Sequence, residues 1–160
     1  MQKNSGLTLI EVILVITIIG VIGVTAVTNW ETDYISLATE AEILASNIRY
    51  SQSLAMSKGD VFKLKKLSGS TYSLTNSQGK ALVFSNGKKK YKFSNNIKFT
   101  KWQNLNRNLI AFNARGTPFY NSNSPLKELS SDKQYSIGIS DGSNVKTIFI
   151  TPVTGKVEIK

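Results

Sequence analysis

Gly6-Leu7-Thr8-Leu9-Ile10-Glu11-Val12, continued by a nearly unbroken apolar run to Val27, is the stretch that decides what this chain can be. Leu7 to Val27 is about as long as the roughly 20-residue helix that crosses a bilayer core. One carboxylate, Glu11, sits inside it, and a carboxylate near the centre of a membrane helix is penalised by roughly 2.5 to 3.5 kcal/mol on insertion scales. Glu11 follows Leu7 closely enough to stay near the membrane surface, and a lone acid in such a segment calls for a functional reason. Gly20 and Gly23 weaken the helix by about 1 kcal/mol each relative to Ala; they permit close helix approach or local unwinding, although small residues are common in membrane helices anyway. Two plainer readings compete. A secretory signal peptide would use Lys3 as its basic region and Val24-Thr25-Ala26 as its cleavage site, but Glu11 at the head of the apolar region opposes it. An ordinary signal anchor would leave Glu11 without a task.

Beyond the apolar run, Trp30 to Ser57 reads as a continuation of the same helix. Leu37, Ala41, Leu44, Ile48, Ser51 and Ala55 recur at helical spacing, with Glu31, Asp33, Glu40, Glu42 and Arg49 expected off that stripe. Lys58-Gly59 supplies a basic last turn and a terminating glycine. After it the pattern changes to short alternating segments: Val61 to Leu67, Thr71 to Thr75, Ala81 to Phe84, Tyr91 to Ser94, Ile97 to Lys101, Leu109 to Phe112, Gln134 to Ser140, Val145 to Thr151 and Lys156 to Ile159. Asn86-Gly87, Asp141-Gly142 and Thr154-Gly155 mark turns. Asn113 to Lys133, rich in Asn, Ser and Pro, is the expected irregular loop. This order predicts an α+β fold, one long N-terminal helix packed on an antiparallel sheet or a two-sheet head.

The N-terminal stretch resembles the class III signal of type IV pilins and pseudopilins, in which a short basic leader ends in Gly and a prepilin peptidase cuts after it. Gly-Leu-Thr-Leu-Ile-Glu stands against the usual Gly-Phe-Thr-Leu-Ile-Glu, with Leu7 where Phe is commoner and Thr28 where many pilins carry Pro. The resemblance implies removal of residues 1–6, cleavage between Gly6 and Leu7, N-methylation of Leu7, and a role for Glu11 in assembly. Physics supports that role. A carboxylate buried among packed helices needs a partner, and the new α-amino group of a neighbouring subunit's Leu7 supplies one, which would fix the axial register.

Further along, Ile48-Arg49-Tyr50-Ser51-Gln52-Ser53-Leu54-Ala55 with Lys58-Gly59-Asp60-Val61, then Ile110-Ala111-Phe112-Asn113-Ala114-Arg115-Gly116, and Ile148-Phe149-Ile150-Thr151 with Gly155-Lys156-Val157, are similar to GspH/FimT-type proteins. The implied organisation is a leader (1–6), a membrane and assembly helix (7–29), its amphipathic continuation (30–57) and a β-rich head (58–160). The implied role is a minor pilin or pseudopilin that helps assemble or tip a type IV pilus or competence filament. Its partners would be other pilin subunits, the prepilin peptidase and the inner-membrane assembly platform. The precursor would sit in the cytoplasmic membrane with its head outside the cytoplasm, then pass into a pilus or pseudopilus. A type II secretion pseudopilin that binds exported proteins and the abundant structural pilin are the alternatives.

Charge bears on that choice. The chain of 160 residues carries a formal net charge of +10, and Lys58 to Arg115 holds thirteen basic residues against Asp60 alone. Lys88, Lys89, Lys90, Lys92, Lys98, Lys101 and Arg107 are the candidate DNA-contacting residues, since cations for phosphates and aromatics for stacking serve nonspecific nucleic-acid binding. Strand alternation gives the competing expectation that Tyr91 and Phe93 are core while Lys90 and Lys92 are merely solvated. In DNA-binding FimT-type pilins a C-terminal Gly-Arg-x-Arg element contributes. Here Gly155-Lys156-Val157-Glu158 keeps one cation, Lys156, and places an acid at the second position.

Catalysis finds no footing in this sequence. Without His or Cys, Ser-His and Cys-His nucleophile pairs are ruled out within the chain and the usual zinc ligands are missing. Asp132 and Asp141 sit in turn-rich contexts, nothing marks a Ser-Lys dyad, and Ser85-Asn86-Gly87-Lys88 is too short for a phosphate-binding loop. A non-enzymatic protein without a cofactor or metal is expected.

Overall fold

The structure, a computed structural model, describes residues 9–28, 32–94, 96–120 and 127–160, of which 21–28 and 32–35 are described by their backbone alone. It divides into two compact units, Met1–Thr32 and Asp33–Lys160. The first holds helix α1 (Leu9–Thr28). The second holds all but the first residue of α2 (Thr32–Lys58) and, among the described residues, nine strands: β1 (Phe62–Lys66), β2 (Thr71–Thr75), β3 (Tyr91–Lys92), β4 (Lys98–Gln103), β5 (Leu109–Phe112), β6 (Pro118–Phe119), β7 (Tyr135–Ser140), β8 (Val145–Ile150) and β9 (Val157–Ile159). The expected join between the two helices falls at 29–31, outside the described residues.

The strands form two antiparallel sheets, a five-stranded one in the order β3-β2-β1-β5-β6 and a four-stranded one in the order β4-β7-β8-β9. Both rest on one core with α2. Leu37, Ala41, Leu44, Ile48, Ser51 and Ala55 are all fully buried, so the helical stripe read from spacing is the face that meets the sheets. In β1, Phe62 and Leu64 point inward and the alternate Lys63 and Lys65 outward, the period-two pattern of a half-buried strand. Across the core, Tyr72 stands at the centre of a ring cluster, with centroids 5.5 Å from Phe84, 5.1 Å from Tyr91 and 5.6 Å from Phe93.

Three expectations need correction. Ala81 to Phe84 is not a strand: only Ala81 bridges to Thr75. Past Leu82 the chain folds into a turn in which Phe84 N–H donates to the Lys88 carbonyl and Gly87 N–H to the Phe84 carbonyl, both at 2.9 Å, so Phe84 drops into the core instead of extending the ladder. The fourth candidate strand is shorter than expected, Tyr91–Lys92, although Phe93 N–H still donates to Ser70 O at 2.9 Å in the same register before Ser94 bonds Glu40. The Asn113–Lys133 loop contains β6, which pairs Phe119 with Ala111 and Pro118 with Phe112. β6 is the last named strand of its sheet, where proline is tolerated; beyond it only a single bridge forms, Phe119 to Glu128, with the Pro118 carbonyl accepting from Leu129 N at 3.1 Å.

Candidate functional site

Helix α1 presents its apolar side chains bare. From Leu9 to Gly20 every residue is exposed, Leu9 at 81% and Ile10 at 74%. A continuous apolar surface of this kind marks an interaction site. Twenty helical residues span about 30 Å, close to the thickness of a bilayer's hydrocarbon core. Taken over the described residues alone, no helix is long and apolar enough to cross a membrane; the side chains described in α1 end at Gly20. Glu11 lies in the first turn, where a carboxylate also complements the positive end of the helix dipole. Gly6 and Leu7 lie outside the described residues.

The candidate cations do not form one cluster. Lys88, Lys89 and Lys90 are exposed in the loop that leads into edge strand β3, and Lys92 is exposed on β3 itself. Lys98 and Lys101 are exposed on β4, in the other sheet, and Arg107 follows in a short 3-10 turn. Lys156 precedes β9, at the opposite edge of that sheet from β4. Its Nζ is 2.6 Å from the Glu158 carboxylate, so the cation at the Gly-Lys-Val-Glu position is matched within the chain. Lys156 also holds the Glu158 carboxyl below its ordinary value, by hydrogen bond and by charge. Of the aromatics among the lysines, Phe93 and Phe99 are core, 3% and 7% exposed, and Tyr91 and Trp102 are partly buried against it.

Two features escaped the sequence reading. Glu40, expected in solvent, is 4% exposed. Its carboxylate accepts from Tyr91 Oη at 3.0 Å, Ser94 N at 2.8 Å and Ser94 Oγ at 2.6 Å, which ties the chain after the lysine loop down onto α2. The signal was present in the spacing, because Glu40 falls three residues after Leu37 and four before Leu44, within the buried stripe. The second feature is a clamp. Gln52 Nε2 donates to Gly116 O and to Thr154 O, each at 2.8 Å, and one turn earlier Arg49 donates to Val157 O at 2.9 Å. A Cβ on Gly155 would come within 2.6 Å of Gln52 Nε2 and 2.9 Å of a Phe112 ring carbon, so close approach and a φ of +67° both demand glycine there. The three downstream segments singled out in the sequence therefore meet at one side chain.

The acids offer little chemistry. Asp132 is held below its ordinary value chiefly by the Ser130 hydroxyl, and Asp141 by the backbone N–H groups of Asn144 and Ser143; both are turn residues with local partners. A cleft of about 500 Å³ beside Lys58 and Lys80 has Phe62, Leu82 and Val83 on its walls. Its acid, Asp60, already accepts from Val61 N at 2.6 Å and from Ser77. No group of acids able to hold a metal occurs among the described residues.

With this geometry established, the N-terminal stretch has a class: residues 1–27 match the prokaryotic N-terminal methylation motif. The fold is that of a type IV pilin. The chain is similar to the type IV minor pilin FimU of Pseudomonas aeruginosa, with a TM-score of 0.55 and 17% identity over 81% of this chain and 91% of FimU. A second crystal form of FimU gives a TM-score of 0.52 and 16% identity, over 78% of this chain and 92% of FimU. No curated protein matches the sequence. The motif accounts for residues 1–27 of the 160, and the likeness to FimU, at 17% identity, gives the fold.

Proposed function

We propose that this chain is a minor subunit of a type IV pilus or competence filament, made as a precursor, cut between Gly6 and Leu7, methylated on Leu7 and assembled through α1. The observation that carries this reading is the methylation motif running directly into a helix whose apolar surface is bare. A bilayer before assembly, and the helices of other subunits afterwards, would cover that surface. Glu11 would pair with a neighbour's new α-amino group and set the register. The head would remain outside the cytoplasm, and the protein would work by assembly and binding.

Mass spectrometry of a Gly6→Ala variant tests the processing step: the leader should stay on, and a mature mass equal to wild type would refute the cut. Glu11→Ala should insert and be cleaved yet enter filaments poorly; normal incorporation would refute the register argument. Copy number separates this reading from an abundant structural pilin, and loss of DNA uptake against loss of protein secretion separates it from a secretion pseudopilin. Contact with DNA is favoured over contact with exported protein by the concentration of uncompensated lysine between Lys58 and Arg115.

A further inference from the structure

We infer that the outer face of the five-stranded sheet, over β1, β2 and β3, is a docking surface for the phosphate backbone of duplex DNA, with Lys63, Lys65 and Lys92 as its cations. The inference rests on the DNA reading above and relocates its site.

Strand register builds the surface. Lys63 pairs with Thr75 and Lys65 with Ser73 across β1 and β2, and Lys92 pairs with Thr71 across β2 and β3. Directly paired residues share a face, so the part-exposed Thr71 and Thr75 of β2 lie between lysines on β1 and β3, with Ser73 buried between them. Neighbouring strands are about 4.8 Å apart, so the two sets of lysines flank a strip about 10 Å across, and Lys63 and Lys65 are about 7 Å apart along β1. Cations at the margins and hydroxyl donors between them are the groups that bind phosphate oxygens. Lys88 to Lys90 add exposed charge at the same edge.

Two observations set this face apart from ordinary solvated lysine. Edge protection explains Lys92 on β3, but β1 is the central strand of its sheet, where no edge needs guarding and lysine is disfavoured by strand propensity. The segment that carries these lysines has one acid, Asp60, which bonds Val61 N and Ser77 and also attracts Lys63, so it offsets a single cation of the strip. The other half of the same face, over β5 and β6, is apolar, with Leu109, Ala111 and Phe119 buried beside Val61, which leaves the polar strip bounded on one side. The occupant follows from what the strip lacks. Tyr72 and Tyr91 point to the core, and no residue of the strip is aromatic, so unstacked bases have nothing to lie on. A duplex, which presents phosphates and keeps its bases stacked, fits the strip better than a single strand.

The test uses the full chain in detergent micelles and a fluorescent 20-base-pair duplex, with anisotropy read across a salt series. Wild type should bind with an affinity that falls steeply with salt. The Lys63→Gln/Lys65→Gln/Lys92→Gln variant should lose about two to three units from the slope of log K against log salt, about one per phosphate contact. A Lys98→Gln/Lys101→Gln/Lys156→Gln control should keep the wild-type slope, and near-UV circular dichroism verifies that each variant is folded. Restoring charge with Arg at 63, 65 and 92 should restore the slope. Wild-type binding with an unchanged slope in the first variant overturns this face while sparing the DNA reading. No wild-type binding at low salt overturns both. Tighter binding of a single strand of equal length, lost in the same variant, overturns the duplex as occupant.

Discussion

Replacing Glu40 tests how the head holds the segment that follows its lysine loop. Removal of the carboxylate in Glu40→Ala leaves three donors without their acceptor: Tyr91 Oη, Ser94 N and Ser94 Oγ. Ser94 is exposed, so its hydroxyl regains a water partner at little cost. The other two bonds, to an ionised acceptor, contribute about 1.5 to 3 kcal/mol each. Against that stands the relief of no longer desolvating a carboxylate, which no cation within salt-bridge distance offsets among the described residues and which costs several kcal/mol in principle. Taking that relief as about half of the roughly 3 to 6 kcal/mol in the two bonds leaves a net loss of about 1.5 to 3 kcal/mol, a large share of the roughly 5 to 15 kcal/mol that holds a typical domain. Glu40→Gln keeps the shape and one acceptor, and should lose about half as much. Urea unfolding of the full chain in detergent, followed by near-UV circular dichroism, gives the number, and hydrogen exchange at the Ser94 amide localises it. A Glu40→Ala midpoint within about 0.5 kcal/mol of wild type, the range of ordinary surface substitutions, would refute the reasoning by showing that the bonds merely repay the carboxylate's burial.

Other outcomes follow from the same structure. Gln52→Ala removes two side-chain bonds to carbonyls and should cost about 1 to 2 kcal/mol in the same assay. Gly155→Ala should cost more, because the added methyl meets Gln52 and Phe112 while the backbone keeps a positive φ; combining it with Gln52→Ala should relieve only part of the loss, since the Phe112 contact remains. Burial, with Glu40 as a negative neighbour, pushes the Tyr91 hydroxyl from 10.0 up to about 12. A raised folded-state value means the neutral phenol favours the fold, so this contribution is complete below pH 10 and is lost as pH rises through 12. A pH series of urea midpoints should show that loss and should show it reduced in Tyr91→Phe.

The helix and most strands were legible because their signals are local. The 3-4 spacing from Leu37 to Ala55 and the alternation of Phe62, Lys63, Leu64 and Lys65 each report one buried face. Ala81 to Phe84 misled because a short apolar run reads the same whether it continues a ladder or turns into a core, and Phe84 does the second. β6 was hidden by Pro118, which argues against a strand everywhere except at an edge. At the candidate site the sequence located the charge but not its grouping. Lys88 to Arg107 looks contiguous along the chain, yet β3 and β4 belong to different sheets, whereas Lys63 and Lys65, less conspicuous in the sequence, share a face with Lys92. Register across strands is a tertiary fact, and a pattern read along one strand does not contain it.

The Gln52 clamp also bears on the order in which the head can form. Its two acceptors lie 64 and 102 residues further along the chain, and Arg49 waits for one 108 residues away. At synthesis rates of about 5 to 20 residues per second, the Thr154 partner follows Gln52 by roughly 5 to 20 s. In that interval α2 has its buried stripe ready and no β9 turn to close against, and loop closure over such separations is slow to nucleate. The head is therefore a late-closing structure, complete only when a segment made long after the helix has docked back onto it. That delay is the period in which a subunit held by its N-terminal helix would be most exposed to proteolysis and to pairing with the wrong neighbour.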